Sequence, residues 1–321
     1  MAWLRKIALT PLLALAVSVQ ASAQTFPDRT VRLVVGFPPG GSSDTVARLV
    51  AQHLAPLIGQ PVVVENKPGA GGVSGSDVVA KAPADGHTLL LATSSNATTA
   101  AVMKALPFDP LNGFAWITTI TTYPFVIATG AGSPIKDLPD LIARAKAAPG
   151  RISYLTAGVG TSHHLLGEWF SAESGVDMLH VPFKGGSSQV GEVVVGRVDV
   201  MFETMTLALP HIKSGRLRGL AVTSPEAMDY LPEVPPVAQT VKGLVFQSWL
   251  GIAAPGGTPA ATVQRLNRDL RTVLSNADVQ QRLAALGGRA APTTPEQMRA
   301  HVQTEIERWR GLVERRHIEK Q

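Results

Sequence analysis

Val31-Arg32-Leu33-Val34-Val35-Gly36-Phe37-Pro38-Pro39-Gly40-Gly41-Ser42-Ser43-Asp44 is a β-branched run that halts in a glycine-rich turn. Val31 to Val35 has strand composition. Beyond the turn, Val46, Leu49, Val50, Leu54 and Leu57 recur with helical period, and Gly59 stands at a C-terminal position. Val62-Val63-Val64-Glu65 is the next strand. Asn66-Lys67-Pro68-Gly69-Ala70-Gly71-Gly72 is a second glycine-rich turn that leads into another helix, and Leu89-Leu90-Leu91-Ala92-Thr93 is a third strand. This βαβαβ order predicts an α/β protein with a mostly parallel sheet flanked by helices.

The same alternation resumes further along the chain. Phe125-Val126-Ile127-Ala128 reads as a strand, Leu138 to Ala147 as a helix and Ile152-Ser153-Tyr154 as a strand. Gly158-Val159-Gly160-Thr161-Ser162 is a turn, and His163 to Ser171 a helix. Met178 to Val181 and Val198 to Phe202 are further strands, and Leu220 to Thr223 is placed as a strand able to return the chain to the first sheet. Thr258-Pro259 predicts an N-cap followed by proline at the first helical position, with Val263, Leu266, Leu270 and Leu274 as the buried stripe. Thr294, Pro295 and Gln297 form a capping box, and Met298, Val302, Ile306 and Trp309 carry the apolar face of the last helix. Two lobes follow: residues 24–124 with 224–321, and an inserted lobe over 125–223. Ligands in such sheets bind outside the carboxyl ends of the strands, here the cleft between the lobes, and hinge closure is the expected motion.

The N-terminus predicts export. Arg5 and Lys6 precede an apolar run from Ile7 to Val19, and Ala21-Ser22-Ala23 offers the small-x-small pattern of a cleavage site after Ala23. The run is short for a membrane span. Residues 1–23 are therefore expected to be a signal peptide, leaving a soluble periplasmic or extracellular protein. The formal net charge of +5 falls to +3 without Arg5 and Lys6, and there is no basic block, which argues against nucleic acid. With no cysteine, disulfides, thiol catalysis and cysteine metal sites are excluded.

Pro39-Gly40-Gly41-Ser42-Ser43-Asp44 is the most informative turn. Glycines let backbone approach a ligand, and the helix N-terminus presents unpaired N–H groups suited to a carboxylate. Ser42 and Ser43 add hydroxyls. Asp44 either caps the helix or orients a hydroxyl or ammonium. Gly160, Thr161 and Ser162 repeat this physics in the second lobe, so that two helix N-termini would clamp one anion. Ser94, Ser95 and Asn96 end the third strand at the cleft edge, and Phe183 and Lys184 add an aromatic and a cation beside another turn. His163-His164 does not suit a metal, since adjacent helical side chains point about 100° apart, and no metal or cofactor motif is present. Neither is a G-x-S-x-G elbow, which weighs against the alternative of an exported α/β hydrolase or related enzyme. A ligand sensor for a two-component system is not separable from a transport receptor.

Eight segments in order resemble the receptors of tripartite tricarboxylate transporters, the Bug family. They are Pro38 to Asp44 with Ala47-Arg48, Asn66 to Gly72, Ala84 to Leu90, Phe108-Asp109-Pro110, Gly158 to Leu165, His180 to Gly185, Gly215 to Thr223 and Ala253 to Pro259. The resemblance implies a Venus-flytrap fold, a small carboxylate ligand and delivery to a membrane permease, with no enzymatic activity and no cofactor. It also implies that the Gly40–Asp44 and Gly160–Ser162 turns act as pincers, and it brings His163 and Glu203 into the expected ligand-binding set. His87, Phe183, Gly113, Trp116 and Phe202-Glu203-Thr204 depart from the usual pattern, and Phe183 and Glu203 bear on specificity. A monomer is expected, because closure needs free lobes.

Overall fold

The computed structural model describes residues 26–321, so the expected signal peptide lies outside the described residues. The first half opens as the sequence predicts: β1 (Val31–Val35), α1 (Ser42–Ile58), β2 (Val62–Asn66), α2 (Val73–Ala80), β3 (Thr88–Thr93) and α3 (Ser94–Val102). β4 (Phe114–Gly130) follows. Then come α4 (Leu138–Ala147), β5 (Ser153–Thr156), α5 (Ser162–Ser174), β6 (Leu179–Pro182), α6 (Ser188–Val194), β7 (Val200–Thr204), α7 (Met205–Lys213) and β8 (Leu217–Val222). The chain closes with β9 (Gln247–Pro255), α8 (Ala260–Ser275), α9 (Ala277–Ala285), β10 (Arg289–Ala290) and α10 (Pro295–Arg315).

The strands pair in the order β2-β1-β3-β9-β4-β7-β5-β6, with β8 and β10 also on β4. The outer pairings, β1 with β2 and β3 and β5 with β6 and β7, are parallel. Those made by β4 and β9 are antiparallel. The sheet is therefore mixed, parallel where βαβ crossovers build it and antiparallel at its centre.

β4 belongs to both halves. Phe114 to Pro124 pair with β9, and Phe125 to Thr129 pair with β7. The change of partner falls at Pro124, which has no N–H to give a ladder. One residue on, the Phe125 N–H donates to Thr223 Oγ1 at 2.8 Å, and Thr223 Oγ1 donates to the Phe246 carbonyl at 2.7 Å. Two expectations change here. Phe125–Ala128 is the continuation of a strand that began at Phe114, not a new one. The strand around Leu220 stays on the second half of β4, with Val126 opposite Val222, and β9 is the element that returns to the first half by pairing with β3.

Burial follows the predicted stripes. Val263, Leu266, Leu270 and Leu274 of α8 and Met298, Val302, Ile306 and Trp309 of α10 are buried. Thr294 and Gln297 close the capping box as expected, whereas Pro259 occupies the N-cap of α8 rather than its first helical position. Thr258 Oγ1 is spent on the Pro255 carbonyl at 2.8 Å, which draws the cap one residue forward. α10 also reaches the second half: Trp309 meets Trp169 of α5 edge-on at 6.2 Å, and Arg316 pairs with Glu173. Among the described residues no helix is long and apolar enough to cross a membrane.

Candidate functional site

Four strands end at one cleft, and each hands over to a helix whose first turn faces it. β1 leads through Phe37 to Gly41, Ser42 and Ser43 at the start of α1. β3 leads to Thr93, Ser94 and Ser95 at the start of α3, β5 to Ser162 and His163 at the start of α5, and β7 to Glu203 and Thr204 at the start of α7. Tyr123 and Ser248 enter from the paired strands β4 and β9, and Gly185, Gly186 and Gln189 close the remaining side. The empty space between these walls, counted out to the mouth and with the open solvent there, is about 420 Å³. The centre of a water molecule reaches only about 30 Å³ of it. The walls stand close together, and a ligand of more than a few atoms needs them to part.

The chemistry of the lining is that of dipoles. The first turns of α1, α3, α5 and α7 present backbone N–H groups that have no partner within the helix backbone, at the positive end of each helix. Hydroxyls fill the gaps. Ser94 Oγ donates to Ser162 Oγ at 3.1 Å and lies 2.6 Å from Ser248 Oγ, while the Ser162 N–H donates to Ser95 Oγ at 3.3 Å. These contacts join the β3 side to the β5 side, as does the Thr98 hydroxyl donating to the Gly160 carbonyl at 2.8 Å. Tyr123 is 3% exposed, and burial pushes its phenol well above the ordinary value, so it stays a neutral hydroxyl. Among the described residues neither Lys nor Arg lines the cavity.

Of the residues expected to bind a ligand, Gly41, Ser42, Ser43, Ser94, Ser162, His163 and Glu203 line this one cavity. Other expected residues act behind it. Pro39 and Gly40 are exposed. Asp44 is buried away from the cavity and accepts from the Gly40 N–H, from Arg48 and from Asn66, so it holds the turn rather than meeting a ligand. Asn96 belongs to the capping box of α3, its Oδ1 accepting from the Thr93 N–H at 2.8 Å. Thr161 is fully buried. Its hydroxyl caps α5 and donates to the Gly158 carbonyl at 2.6 Å, which leaves no free donor. Gly160, with φ of +79°, packs against Val102 and Met103. Phe183 and Lys184 line an adjoining cavity with Gly69 to Gly72.

The Asn66–Gly72 turn has a packing role. A Cβ on Gly36 would lie 2.8 Å from Gly72 Cα, and one on Gly75 would lie 2.7 Å from Gly36 Cα. Backbone meets backbone here, beneath β1. A larger cavity, in which the centre of a water molecule reaches about 740 Å³, also borders Tyr123, but none of its lining residues opens a helix. Among the described residues no group of His, Cys, Asp or Glu has metal-binding geometry.

A bilobal α/β body with helix N-termini converging on a central cleft is the architecture of periplasmic solute-binding proteins. The solved periplasmic binding protein BugD superposes with a TM-score of 0.89 at 32% identity, covering 92% of this chain and all of that one. MatC of Rhodopseudomonas palustris, solved with bound malate, superposes with a TM-score of 0.86 at 31% identity, covering 90% of this chain and all of that one. Protein BugT of Bordetella pertussis is 37% identical over 300 residues, 92% of each chain. The sequence profile of the tripartite tricarboxylate transporter family receptor matches residues 46–318, and the chain belongs to that family. The family is one of substrate-binding receptors, not enzymes.

Proposed function

We propose that this protein captures a small carboxylate between the first turns of α1, α3, α5 and α7 and delivers it to the membrane permease of a tripartite transporter. The observation that carries this reading is four helix N-termini at one cleft whose lining, among the described residues, includes no Lys or Arg. A buried carboxylate must have its oxygens hydrogen-bonded. Bonds to charged groups contribute about 1.5–3 kcal/mol each, so two or three amides with a hydroxyl support micromolar binding, about 8 kcal/mol, after association costs. Malate in MatC supports a small carboxylate as the ligand.

The same reading places the lobe boundaries at 124/125 and 223/224, where β4 changes partner and Thr223 bridges to Phe246. It also includes removal of residues 1–23, release into the periplasm and action as a monomer. The test is a thermal-shift screen of mono-, di- and tricarboxylates, amino acids, sugars and cations, followed by calorimetry. Carboxylates should stabilise the protein, and Gly41→Val should abolish binding. Gly41 has ordinary φ of −82°, but a Cβ there already sits 3.4 Å from Gly186 Cα across the cleft. Stabilisation by sugars or cations alone, or a Gly41→Val protein that binds like wild type, refutes the reading.

A further inference from the structure

Glu203 is 1% exposed at the floor of the cleft, and its donors define its neighbours. Oε1 accepts from the Thr204 N–H at 2.7 Å, from Thr204 Oγ1 at 3.0 Å and from His163 Nε2 at 3.1 Å, and Oε2 accepts from Gln189 Nε2. Oε1 already accepts from Thr204, so the carboxylate oxygens face donors here: His163 Nε2 meets Oε1, and Gln189 turns its amide nitrogen towards Oε2. That orientation fixes what remains. Gln189 Oε1 and His163 Nδ1 are buried without a hydrogen-bond partner, on side chains 1% and 8% exposed that both line the cleft.

An amide oxygen can only accept. A second ligand carboxylate would bring it another acceptor, beside the charge of Glu203. We propose, building on the carboxylate reading above, that Gln189, oriented by Glu203, is a specificity-determining residue. It selects acids that carry a hydrogen-bond donor, a hydroxyl or an ammonium, over the unsubstituted acid of the same length. The acid group meets the helix N-termini and the donor meets Gln189 Oε1. His163, whose Nε2 meets Glu203, brings its unpartnered Nδ1 to the same cleft.

A site built to hydrogen-bond a substituent rejects the analogue that lacks it, because its own buried group is then left unpaired. The experiment is calorimetry on the mature protein with matched series: succinate, malate and aspartate; glutarate, 2-hydroxyglutarate and glutamate; propionate, lactate and alanine. In the series that binds, a substituted member should bind at least tenfold more tightly than the unsubstituted one. Gln189→Met should bring that ratio to within about threefold, and Gln189→Asn, which withdraws the amide by one methylene, should give an intermediate ratio. If Gln189→Met fails to fold, the wild-type series and Gln189→Asn decide. Equal binding of substituted and unsubstituted acids, as when water alone satisfies the amide, overturns the proposal, and so does an unchanged ratio in either variant. Binding of no carboxylate at all overturns the underlying reading as well, which separates the two failures.

Discussion

Asp44→Asn tests whether the first cleft turn is held from behind. Asp44 is 4% exposed. Its Oδ2 accepts from the Gly40 N–H at 3.0 Å and Arg48 Nε at 2.9 Å, and its Oδ1 from Arg48 Nη2 at 2.9 Å and Asn66 Nδ2 at 3.0 Å. An amide keeps one acceptor and turns the other into a donor facing donors. The Arg48 side chain is 55% exposed, so its share is discounted to a few tenths of a kcal/mol. Losing one or two of the remaining bonds to a charged acceptor, at about 1.5–3 kcal/mol each, predicts about 1.5–6 kcal/mol in all. For a chain of this size that lowers Tm by roughly 3–10 °C. Burial alone would raise the Asp44 pKa, but the bonds from Arg48, Gly40 and Asn66 outweigh it and hold the carboxyl below its ordinary value. A depressed carboxylate stabilises above the unfolded pKa, about 3.9, and that stability is lost as pH falls through the folded value. The gap between wild type and Asp44→Asn should therefore hold from pH 7 to about pH 5 and narrow below pH 4. Differential scanning calorimetry reads both. Equal Tm at pH 7, or a gap that does not narrow in acid, refutes the argument. A variant of wild-type Tm that has lost ligand affinity would show instead that Asp44 touches the ligand.

Thr161→Val should lower stability by about 1 kcal/mol through loss of the α5 cap, read by urea titration, while ligand affinity changes less than about threefold. Gly75→Ala should cost about 1–3 kcal/mol of stability in the same assay, because the new Cβ meets Gly36 Cα at 2.7 Å and two backbones must separate. His164 and His180 stack at 4.3 Å, and burial pulls each down to about 4. Between that value and the unfolded value near 6.5 the unfolded chain binds more protons, so the urea midpoint should fall as pH drops from 6.5 towards 4, and fall less in His180→Gln. Small-angle scattering should show a smaller radius of gyration with saturating ligand than without, and no change would argue for a rigid cleft.

Much of the architecture is legible in local pattern. Leu138–Ala147 is a helix to the residue, and Thr294, Pro295 and Gln297 form their capping box. What escapes is non-local. β9 reads Gln247-Ser248-Trp249-Leu250-Gly251-Ile252-Ala253-Ala254-Pro255, where Gly and Ala dilute strand propensity. It is a strand because β3 and β4 flank it. Pro124 hides the continuity of β4 for a related reason, since proline demotes a strand when only sequence is visible. In the site, the glycine turns and serines announce themselves, but Tyr123, Gln189 and Ser248 carry no local motif. They come to the cleft through strand register and through a short helix. The role of Asp44 did leave a trace: Arg48 lies four residues on, the spacing of a helical ion pair.

The position of β9 orders events during synthesis. β9 lies between β3 and β4, so the first sheet has no centre until residues 247–255 have been made. Every contact that closes it spans well over a hundred residues, and such late, long-range pairing slows folding. The N-terminal third is thus left without its keystone for most of translation. If the chain threads through a membrane before it folds, as the export reading above proposes, that delay would keep the polypeptide pliant until nearly all of it is available.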